Sequence, residues 1–277
     1  MKTVALPCGE RIPAFGQGTW NMGDKRATRT EEIAALRLGL DLGLTLVDSA
    51  EMYGDGRSEQ LVAEAISGRR DEVFLVSKVL PNHATRRGTV SACEQSLKRL
   101  NTDRIDLYLL HWRGGVPFAE TLEALAALQG AGKIRHYGVS NLDLDDMREL
   151  TAVPGGQGVA ANQLLYNLSR RGIEWDLQPW LRERRVPVMA YSPLEQARLA
   201  KHPQLVDFSH RHGMTPSQAA LAWLLAGDDV IVIPKSGSRE HLKENFGALE
   251  HALSAAQLAE LDRLFPPPVG PRPLEMI

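Results

Sequence analysis

Short apolar runs recur along the chain, and each ends at, or just before, a polar or small residue. Successive run ends are 30, 30, 33, 29, 23, 28 and 43 residues apart. The segments between them carry apolar residues at the spacing of amphipathic helices. Eight alternating strand and helix units predict an α/β protein and favour a closed (β/α)8 TIM barrel over an open doubly wound sheet. The run ends are Gly18, Asp48, Lys78, His111, Ser140, Gln163, Tyr191 and Pro234.

Further elements are predicted before and after the eight units. Val4-Ala5-Leu6 and Arg11-Ile12-Pro13 flank the turn Cys8-Gly9-Glu10, which predicts an N-terminal β-hairpin that plugs the barrel floor. The long 43-residue interval leaves room for extra structure between residues 194 and 212. An extra C-terminal helix is expected after the eighth unit, and the proline-rich stretch 265–271 is expected to be a loop. Residues 1–277 are expected to form a single domain.

Two helix starts carry recognisable capping residues. Thr28 with Glu31 is a candidate capping box, in which each side chain would bond to the backbone of the other residue. Thr215 followed by Pro216 is typical of an N-cap residue with proline at the first helical position. Both starts follow predicted strands, as the barrel requires.

Charge and cysteine content exclude several classes of function. The 32 Lys and Arg residues and 34 Asp and Glu residues give a net charge of −2, which provides no broad field for nucleic acid or for an anionic membrane. Cys8 and Cys93 match neither a disulfide framework nor a zinc-site spacing, which favours a reducing compartment. The first residues lack a signal-peptide core, and no run of about 18 apolar residues occurs. We therefore expect a cytoplasmic protein.

Four residues at the predicted rim of the barrel can together reduce a carbonyl group. Asp48, Lys78 and His111 close three strands, whose C-terminal ends share one rim, and Tyr53 follows Asp48 by five positions. Reduction by hydride requires a proton donor within reach of the carbonyl oxygen. We expect Tyr53 to be that acid and Lys78 to stabilise the phenolate that remains. Asp48 would neutralise the ammonium of Lys78, and a neutral His111 would donate an N–H to the carbonyl.

Each of these residues also has an ordinary structural explanation. Taken alone, Asp48 could cap a helix, Tyr53 could pack a loop and His111 could be a satisfied barrel histidine. Their joint placement on three strand ends favours the functional interpretation. The stretch Gly16-Gln17-Gly18 lacks the third glycine of a dinucleotide fingerprint. His210-Arg211-His212 indicates a helix C-terminus rather than a set of ligands, so no metal is expected in the site.

Four segments of the chain resemble, in order, those of the aldo-keto reductase superfamily. Residues 47–54 are similar to its first signature, and residues 106–112 are similar to the strand that carries the family histidine. Residues 132–141 resemble the segment that grips the nicotinamide, and residues 233–236 resemble the one near the adenosine phosphate. The resemblance covers almost the whole chain. It implies a nicotinamide-dependent carbonyl reductase with a catalytic tetrad of Asp48, Tyr53, Lys78 and His111.

The same resemblance implies contacts for NADP and for the substrate. The nicotinamide would be held by Ser140, Asn141 and Gln163, with Tyr191 stacked on its ring. The pyrophosphate would lie along Ser192 and Leu194. The 2′-phosphate would meet Lys235 and Ser236, and the adenine would meet Glu244 and Asn245. Two tryptophans would wall the substrate pocket, namely Trp20 and Trp112.

Two departures from the family pattern bear on specificity. His241 stands where the family usually has an arginine. The always-charged guanidinium of that arginine is thus replaced by a shorter imidazole side chain that is mostly neutral at pH 7. Arg239, two residues earlier, is the candidate to compensate. We expect NADPH to be favoured and NADH to be usable. The loop after His111 and the C-terminal tail are short, which predicts an open site and broad substrate tolerance.

Two other functions stay open at this point. The barrel could be a cofactor-sensing subunit that binds nicotinamide and turns over slowly or not at all. It could also be a metal-dependent barrel hydrolase, although residues 14–18 lack the histidines that such an enzyme would carry on its first strand. The expected partner is a small-molecule carbonyl substrate, and we expect a monomer. The residues name neither the physiological substrate nor the favoured direction of the reaction.

Overall fold

Ten strands occur in the computed structural model, which describes residues 1–277. The first two form an antiparallel hairpin, and the other eight form one parallel sheet in chain order. Bridges from Phe15 to Val232 and from Gly18 to Lys235 join the edges of this sheet and close the barrel, which confirms the predicted fold. The strands are β1 (Thr3–Ala5), β2 (Arg11–Pro13), β3 (Gly16–Gly18), β4 (Leu46–Asp48), β5 (Phe74–Val79), β6 (Ile105–Leu110), β7 (Ile134–Ser140), β8 (Asn162–Leu165), β9 (Val188–Tyr191) and β10 (Val230–Val232).

At least one helix follows each barrel strand. Two helices follow β9, so the long interval before β10 does contain the predicted extra structure, and a final helix follows the eighth unit. The residues from 265 onward form neither helix nor strand, as the prolines predict. The helices are α1 (Arg29–Asp41), α2 (Arg57–Ala65), α3 (Arg86–Leu100), α4 (Phe118–Gly130), α5 (Leu144–Ala152), α6 (Leu177–Glu183), α7 (Pro203–Arg211), α8 (Pro216–Ala226), α9 (Arg239–Phe246) and α10 (Ala255–Leu264).

The barrel strands are buried on both faces. Every residue of β4, β5 and β6 is buried, because helices cover the outside of the sheet and side chains fill its inside. One cluster of 70 buried residues joins these strands to the surrounding helices. The near-continuous apolar runs of the sequence reflect this two-sided burial. Packing of the core explains the apolar residues of these strands, but it does not explain the polar ones.

The hairpin of β1 and β2 lies at the floor of the barrel, as predicted. The Lys2 ammonium donates to the carbonyls of Leu225 and Gly227, which precede β10. Glu10, in the hairpin turn, accepts hydrogen bonds from Arg135 near the start of β7. Both contacts lie at the N-terminal ends of strands, so the hairpin occupies the end of the barrel opposite to the predicted site.

One of the two predicted helix caps is confirmed and the other is wrong. Thr215 and Gln218 form a capping box at the start of α8. Thr28 precedes α1, but its backbone is already helical and its hydroxyl donates to Glu32 instead of capping the helix. The carboxylate of Glu31, which the capping box needed, binds Arg239. A tertiary ion pair thus replaces the predicted local motif.

None of the helices has both the length and the apolar character that a membrane crossing would need. The single domain over residues 1–277, the cytoplasmic location and the monomeric state stay predictions.

Candidate active site

A cavity of about 540 Å³ opens at the C-terminal ends of the barrel strands. Its wall includes Gln163 of β8 and residues that follow β3, β4, β6, β7, β9 and β10, because parallel strands deliver their ends to one rim. Most of the residues predicted from the sequence meet here. Those that line the cavity are Trp20, Asp48, Tyr53, His111, Trp112, Ser140, Asn141, Gln163, Tyr191, Ser192, Leu194, Lys235, His241, Glu244 and Asn245.

The ammonium of Lys78 joins two of these residues from behind the cavity wall. Lys78 is fully buried, and its Nζ lies 2.8 Å from Asp48 Oδ2, 2.8 Å from the carbonyl oxygen of Ser49 and 3.1 Å from the Tyr53 hydroxyl. All three donor positions of the ammonium therefore have partners. The hydroxyl of Tyr53 accepts one of these bonds and keeps its own proton free to be donated into the cavity.

Burial and charge act in opposite directions on this pair. Burial raises the pKa of Tyr53 above its ordinary value, while the positive charge of Lys78 opposes that rise. Burial alone would lower the pKa of Lys78, but the negative charge of Asp48 and the hydrogen bonds to Asp48 and Tyr53 outweigh it and leave the pKa raised. Near neutral pH the phenol is therefore protonated and the ammonium is charged.

His111 stands beside Tyr53 as a neutral imidazole. Burial, together with the nearby charge of Lys78, lowers the pKa of His111 to about 3. The ring meets the ring of Tyr53 edge to face, with 5.9 Å between the centroids. Its Nδ1 has no hydrogen-bond partner within the protein. A buried neutral ring next to a protonated phenol provides donors for a carbonyl oxygen and no fixed positive charge of its own.

Amide and hydroxyl groups beside this pair are held by hydrogen bonds. Gln163 Nε2 donates to Asp48 Oδ1 at 2.8 Å, Asn141 Nδ2 donates to the His111 carbonyl at 3.1 Å, and the Tyr191 hydroxyl donates to Asn141 Oδ1 at 3.0 Å. Asn141 has a φ of +56°, which asparagine tolerates better than most residues do. Burial raises the pKa of Tyr191 to about 12, so its hydroxyl stays a donor. These hydrogen bonds fix the side-chain amides of Asn141 and Gln163 at the cavity wall.

The far end of the cavity agrees with the predicted phosphate contacts only in part. Lys235 and His241 line the cavity there. Ser236 does not line it, because its side chain is buried and accepts a bond from Asn245 Nδ2 at 2.8 Å. Ser236 therefore supports Asn245 from behind.

Arg239 is placed differently from the prediction. Its Nε and Nη2 donate to the two carboxylate oxygens of Glu31 at 3.1 and 3.0 Å, and its backbone N–H also donates to Glu31. Arg239 is exposed and does not line the cavity. The expectation that it replaces the missing arginine is wrong in this structure, since an ion pair with α1 holds it elsewhere.

The C-terminal tail returns to the mouth of the cavity, and the open site stays a prediction. Met276 and Ile277 of the C-terminal tail line the cavity, together with Trp20 and Met52. These four side chains are between 42 and 52 % exposed, although all are apolar. Sequence reasoning missed both tail residues because nothing in the local pattern tells where an irregular tail returns. Met52 could have been predicted from the sequence, since it lies one position before Tyr53.

An ion-pair network holds this tail in place. Arg170, after β8, pairs with Glu275 of the tail and with Glu195, whose Oε1 lies 2.9 Å from Arg170 Nη2. Glu195 is buried and also accepts a bond from Asn167 Nδ2 at 2.8 Å. Glu195, Gln196 and Ala197 all have left-handed backbone conformations, which are costly for residues other than glycine. Arg170 thus connects the tail to a strained loop of the same cavity.

The sequence matches the model of the Aldo/keto reductase family over residues 14–265. The chain belongs to the aldo/keto reductase family. This membership confirms the resemblance found in the sequence. As an aldo/keto reductase, the chain is an oxidoreductase by family, and the rim cavity lies at the end of the barrel where such enzymes carry their chemistry.

Named relatives of this aldo/keto reductase agree in sequence and in fold. Methylglyoxal reductase YeaE of Escherichia coli (strain K12) is 50 % identical over 271 residues, which cover 96 % of this chain and 95 % of that protein. An aldo/keto reductase of Klebsiella pneumoniae, crystallised in complex with NADP and acetate, is 49 % identical with a TM-score of 0.97, and the match covers 100 % of this chain and 99 % of that one. The thermostable aldo-keto reductase Tm1743, in complex with epalrestat, is 39 % identical with a TM-score of 0.89, over 95 % of this chain and 100 % of that one.

Proposed function

We propose that this aldo/keto reductase uses NADPH to reduce small aldehydes, ketones and dicarbonyls to alcohols, with Tyr53 as the general acid. One observation carries the proposal. A protonated phenol faces the cavity, and a fully buried ammonium lies 3.1 Å behind its oxygen. That arrangement suits the transfer of a proton to a carbonyl oxygen, because the charge left on the phenol is stabilised where it forms.

The side chains of the cavity fit a nicotinamide dinucleotide. The amide and hydroxyl groups of Ser140, Asn141 and Gln163 suit a carboxamide, and the ammonium of Lys235 suits a phosphate. The predicted cofactor class, NADP, is supported by the NADP and NADPH bound to two Klebsiella pneumoniae structures at 49 % identity. When bound, this cofactor supplies the hydride. Preference for NADPH over NADH is part of the proposal.

Each tetrad residue has one task in this mechanism. The Tyr53 hydroxyl donates its proton to the carbonyl oxygen as the carbon is reduced. The ammonium of Lys78 then stabilises the phenolate, and Asp48 keeps that ammonium charged and in position. His111, neutral because its pKa lies at about 3, donates an N–H that orients the carbonyl. Solvent returns a proton to Tyr53 after the alcohol leaves.

The walls near Tyr53 favour uncharged substrates. Trp20, Met52 and Trp112 line the cavity; Met52 precedes Tyr53 in the chain, and the ring of Trp112 lies 4.8 Å from that of His111. An apolar wall with a few polar groups excludes water and orients a small carbonyl compound. The name of the Escherichia coli relative, methylglyoxal reductase, points to a dicarbonyl of this kind, and we propose the same class for this chain.

Single-turnover kinetics test the proposal directly. Protein saturated with NADPH is mixed with methylglyoxal, and the loss of the reduced nicotinamide signal is followed by stopped flow. We expect one equivalent to be oxidised, with the same yield after treatment with a chelator. A nicotinamide signal that persists at saturating aldehydes and ketones would favour the cofactor sensor instead. Loss of turnover on chelation would favour the metal-dependent alternative.

A further inference from the structure

A second cluster of reactive side chains lies at the barrel floor, far from the rim. Cys8 and Glu10 lie in the hairpin turn, on either side of Gly9, and His136 lies on β7. One donor atom from each residue, namely a sulfur, a carboxylate oxygen and a ring nitrogen, lies within 4.8 Å of the other two. His136 lies four positions before the end of β7 at Ser140, which corresponds to about 13 Å along a strand. The proposed reduction uses none of these groups.

The cluster is built on ordered backbone. The hairpin turn is closed by a bond from Leu6 N to Glu10 O and one from Gly9 N to Leu6 O, both 2.8 Å long. Gly9 has a φ of +90°, which only glycine adopts readily, so Cys8 and Glu10 are separated by a residue fitted to the turn. The ring of His136 is half-buried and stacks on Phe74 with 6.5 Å between the centroids.

Neighbouring groups orient the carboxylate of Glu10. Arg135 Nη2 donates to both of its oxygens, at 2.8 and 2.9 Å. Arg135 also donates to Asp106 Oδ1 at 2.9 Å, so its charge is shared with a second carboxylate. His136 Nε2 lies 2.8 Å from Glu10 Oε2. Support of this kind around a ligand oxygen is what metal sites commonly have in the layer outside their ligands.

We propose that Cys8, Glu10 and His136 form a binding site for a divalent transition metal, of which Zn²⁺ fits best. A thiolate, an imidazole and a carboxylate are ligands that zinc accepts together, and the thiolate disfavours Mg²⁺ and Ca²⁺. On binding, the Cys8 sulfur forms a bond to the metal and its proton passes to solvent. Water takes the fourth position. The ion would fasten the hairpin to the first part of β7.

The distances require only small movements. Around a tetrahedral zinc, ligand atoms lie roughly 3.3 to 3.7 Å apart, given metal–ligand bonds of about 2.0 to 2.3 Å. The oxygen of Glu10 and the nitrogen of His136, at 2.8 Å, need to separate by about half an ångström. The side chain of Cys8 is exposed and is therefore free to approach.

Cobalt binding gives a readout specific to the cysteine. The full-length, reduced and chelator-stripped protein is titrated with Co²⁺, whose thiolate complexes absorb in the near ultraviolet, and Zn²⁺ is then added in competition. We expect one equivalent to bind with a thiolate band and with micromolar or tighter affinity for Zn²⁺. Cys8→Ser and His136→Gln should abolish the band and weaken Zn²⁺ binding at least tenfold. Burial raises the pKa of the other thiol, Cys93, to about 12, so Cys93 should not contribute.

A matched control is available in His212→Gln. His212 also pairs with a carboxylate, Glu260, at 3.2 Å, and this second pair is not part of the cysteine cluster. The control should keep the band and the affinity. A band that survives in Cys8→Ser, or no thiolate band at saturating Co²⁺, would overturn the proposal. As a second measurement, Zn²⁺ should slow alkylation of Cys8 in the wild type and leave it unchanged in His136→Gln; equal rates with and without Zn²⁺ in the wild type would also overturn the site.

Discussion

Two carboxylates, Asp48 at the rim and Asp106 at the floor, are buried to the same degree, each 2 % exposed. Asp106 accepts bonds from Arg70 at 2.7 Å, from Arg135 at 2.9 Å and from the backbone N–H of Leu75 at 2.9 Å. Its partners belong to a network of ion pairs at the surface of the floor. Asp48 instead holds a single ammonium, and that ammonium leads to a hydroxyl at a cavity wall.

The difference teaches how to separate a stabilising buried charge from a reactive one. At the floor, the bonds of Asp106 lead only to two guanidinium groups and a backbone N–H, all supplied by the protein. At the rim, the network ends at the Tyr53 proton and the His111 ring, whose remaining hydrogen-bonding capacity faces a space that a small molecule can enter. Burial and pairing alone would not distinguish Asp48 from Asp106. The two carboxylates are distinguished by the group at which each network of hydrogen bonds ends.

The largest expected effect follows from removing the proton at the rim. Tyr53→Phe should lower kcat by about 10² to 10⁴, the usual contribution of a general acid, and should change the Kd for NADPH less than about twofold. Steady-state kinetics and fluorescence titration measure the two quantities. Tyr137→Phe is the control, because its hydroxyl donates to Gly155 away from the cavity. A parallel loss of NADPH affinity in Tyr53→Phe would show that its role is misassigned.

The next effect concerns stability at the floor. Asp106→Asn leaves two arginines without their shared carboxylate, and we expect the free energy of unfolding to fall by roughly 2 to 4 kcal/mol, the lower part reflecting the exposure of Arg135. Urea unfolding measures this change. The kcat of the folded variant should stay within about twofold of the wild type. A large loss of kcat with unchanged stability would reverse the distinction between the two carboxylates.

The pH dependence of stability should report the buried ring at the rim. His111 has a pKa of about 3 in the folded protein, well below its ordinary value. As pH falls from about 6.5 toward 3, the unfolded chain takes up a proton there that the folded protein does not, so the protein loses stability in this window. At pH 5 the free energy of unfolding should therefore be lower than at neutral pH by on the order of 2 kcal/mol.

Urea midpoints at pH 5, 6 and 7 check this effect. His111→Asn should make the free energy of unfolding less dependent on pH than in the wild type, while the control Tyr137→Phe, at a hydroxyl whose pKa burial raises, should follow the wild type. Identical pH profiles for the wild type and His111→Asn would show that the ring does not stay neutral on folding.

The smallest effects concern the far end of the cavity. His241→Arg should lower the Kd for NADPH by about tenfold while leaving that for NADH nearly unchanged, because a guanidinium binds phosphate through two bonds. Arg239→Ala should change either Kd less than about twofold, since Glu31 already holds that side chain outside the cavity. Titration with each cofactor checks both variants. An equal gain for NADH in His241→Arg would remove the phosphate explanation.

The sequence predicted the barrel and the meeting of the rim residues because both follow from local patterns. A strand that is buried on both faces has an apolar sequence, and a charged residue at the end of such a run can be recognised from the sequence alone. Asp48, Lys78 and His111 were therefore found together. The placement of each strand end then follows from the closure of the barrel.

Other features depend on contacts between distant segments, and the sequence did not predict them. Glu31 looked like part of a helix cap, but it binds Arg239, 208 residues away. The same ion pair keeps Arg239 from the phosphate position that the family resemblance implied. The cluster of Cys8, Glu10 and His136 is likewise assembled across 126 residues, from Glu10 to His136. Long-range pairs of this kind leave no period in the sequence.

The return of the tail to the rim decides where an affinity tag can be attached. A peptide fused after Ile277 would begin at the mouth of the cavity, beside Trp20 and Met52, and would pull on the segment that Arg170 anchors. Kinetic work is better served by a tag before Met1. Metal titrations call for the opposite choice, because a leader before Met1 would lie next to the hairpin and a polyhistidine leader would bring its own ligands.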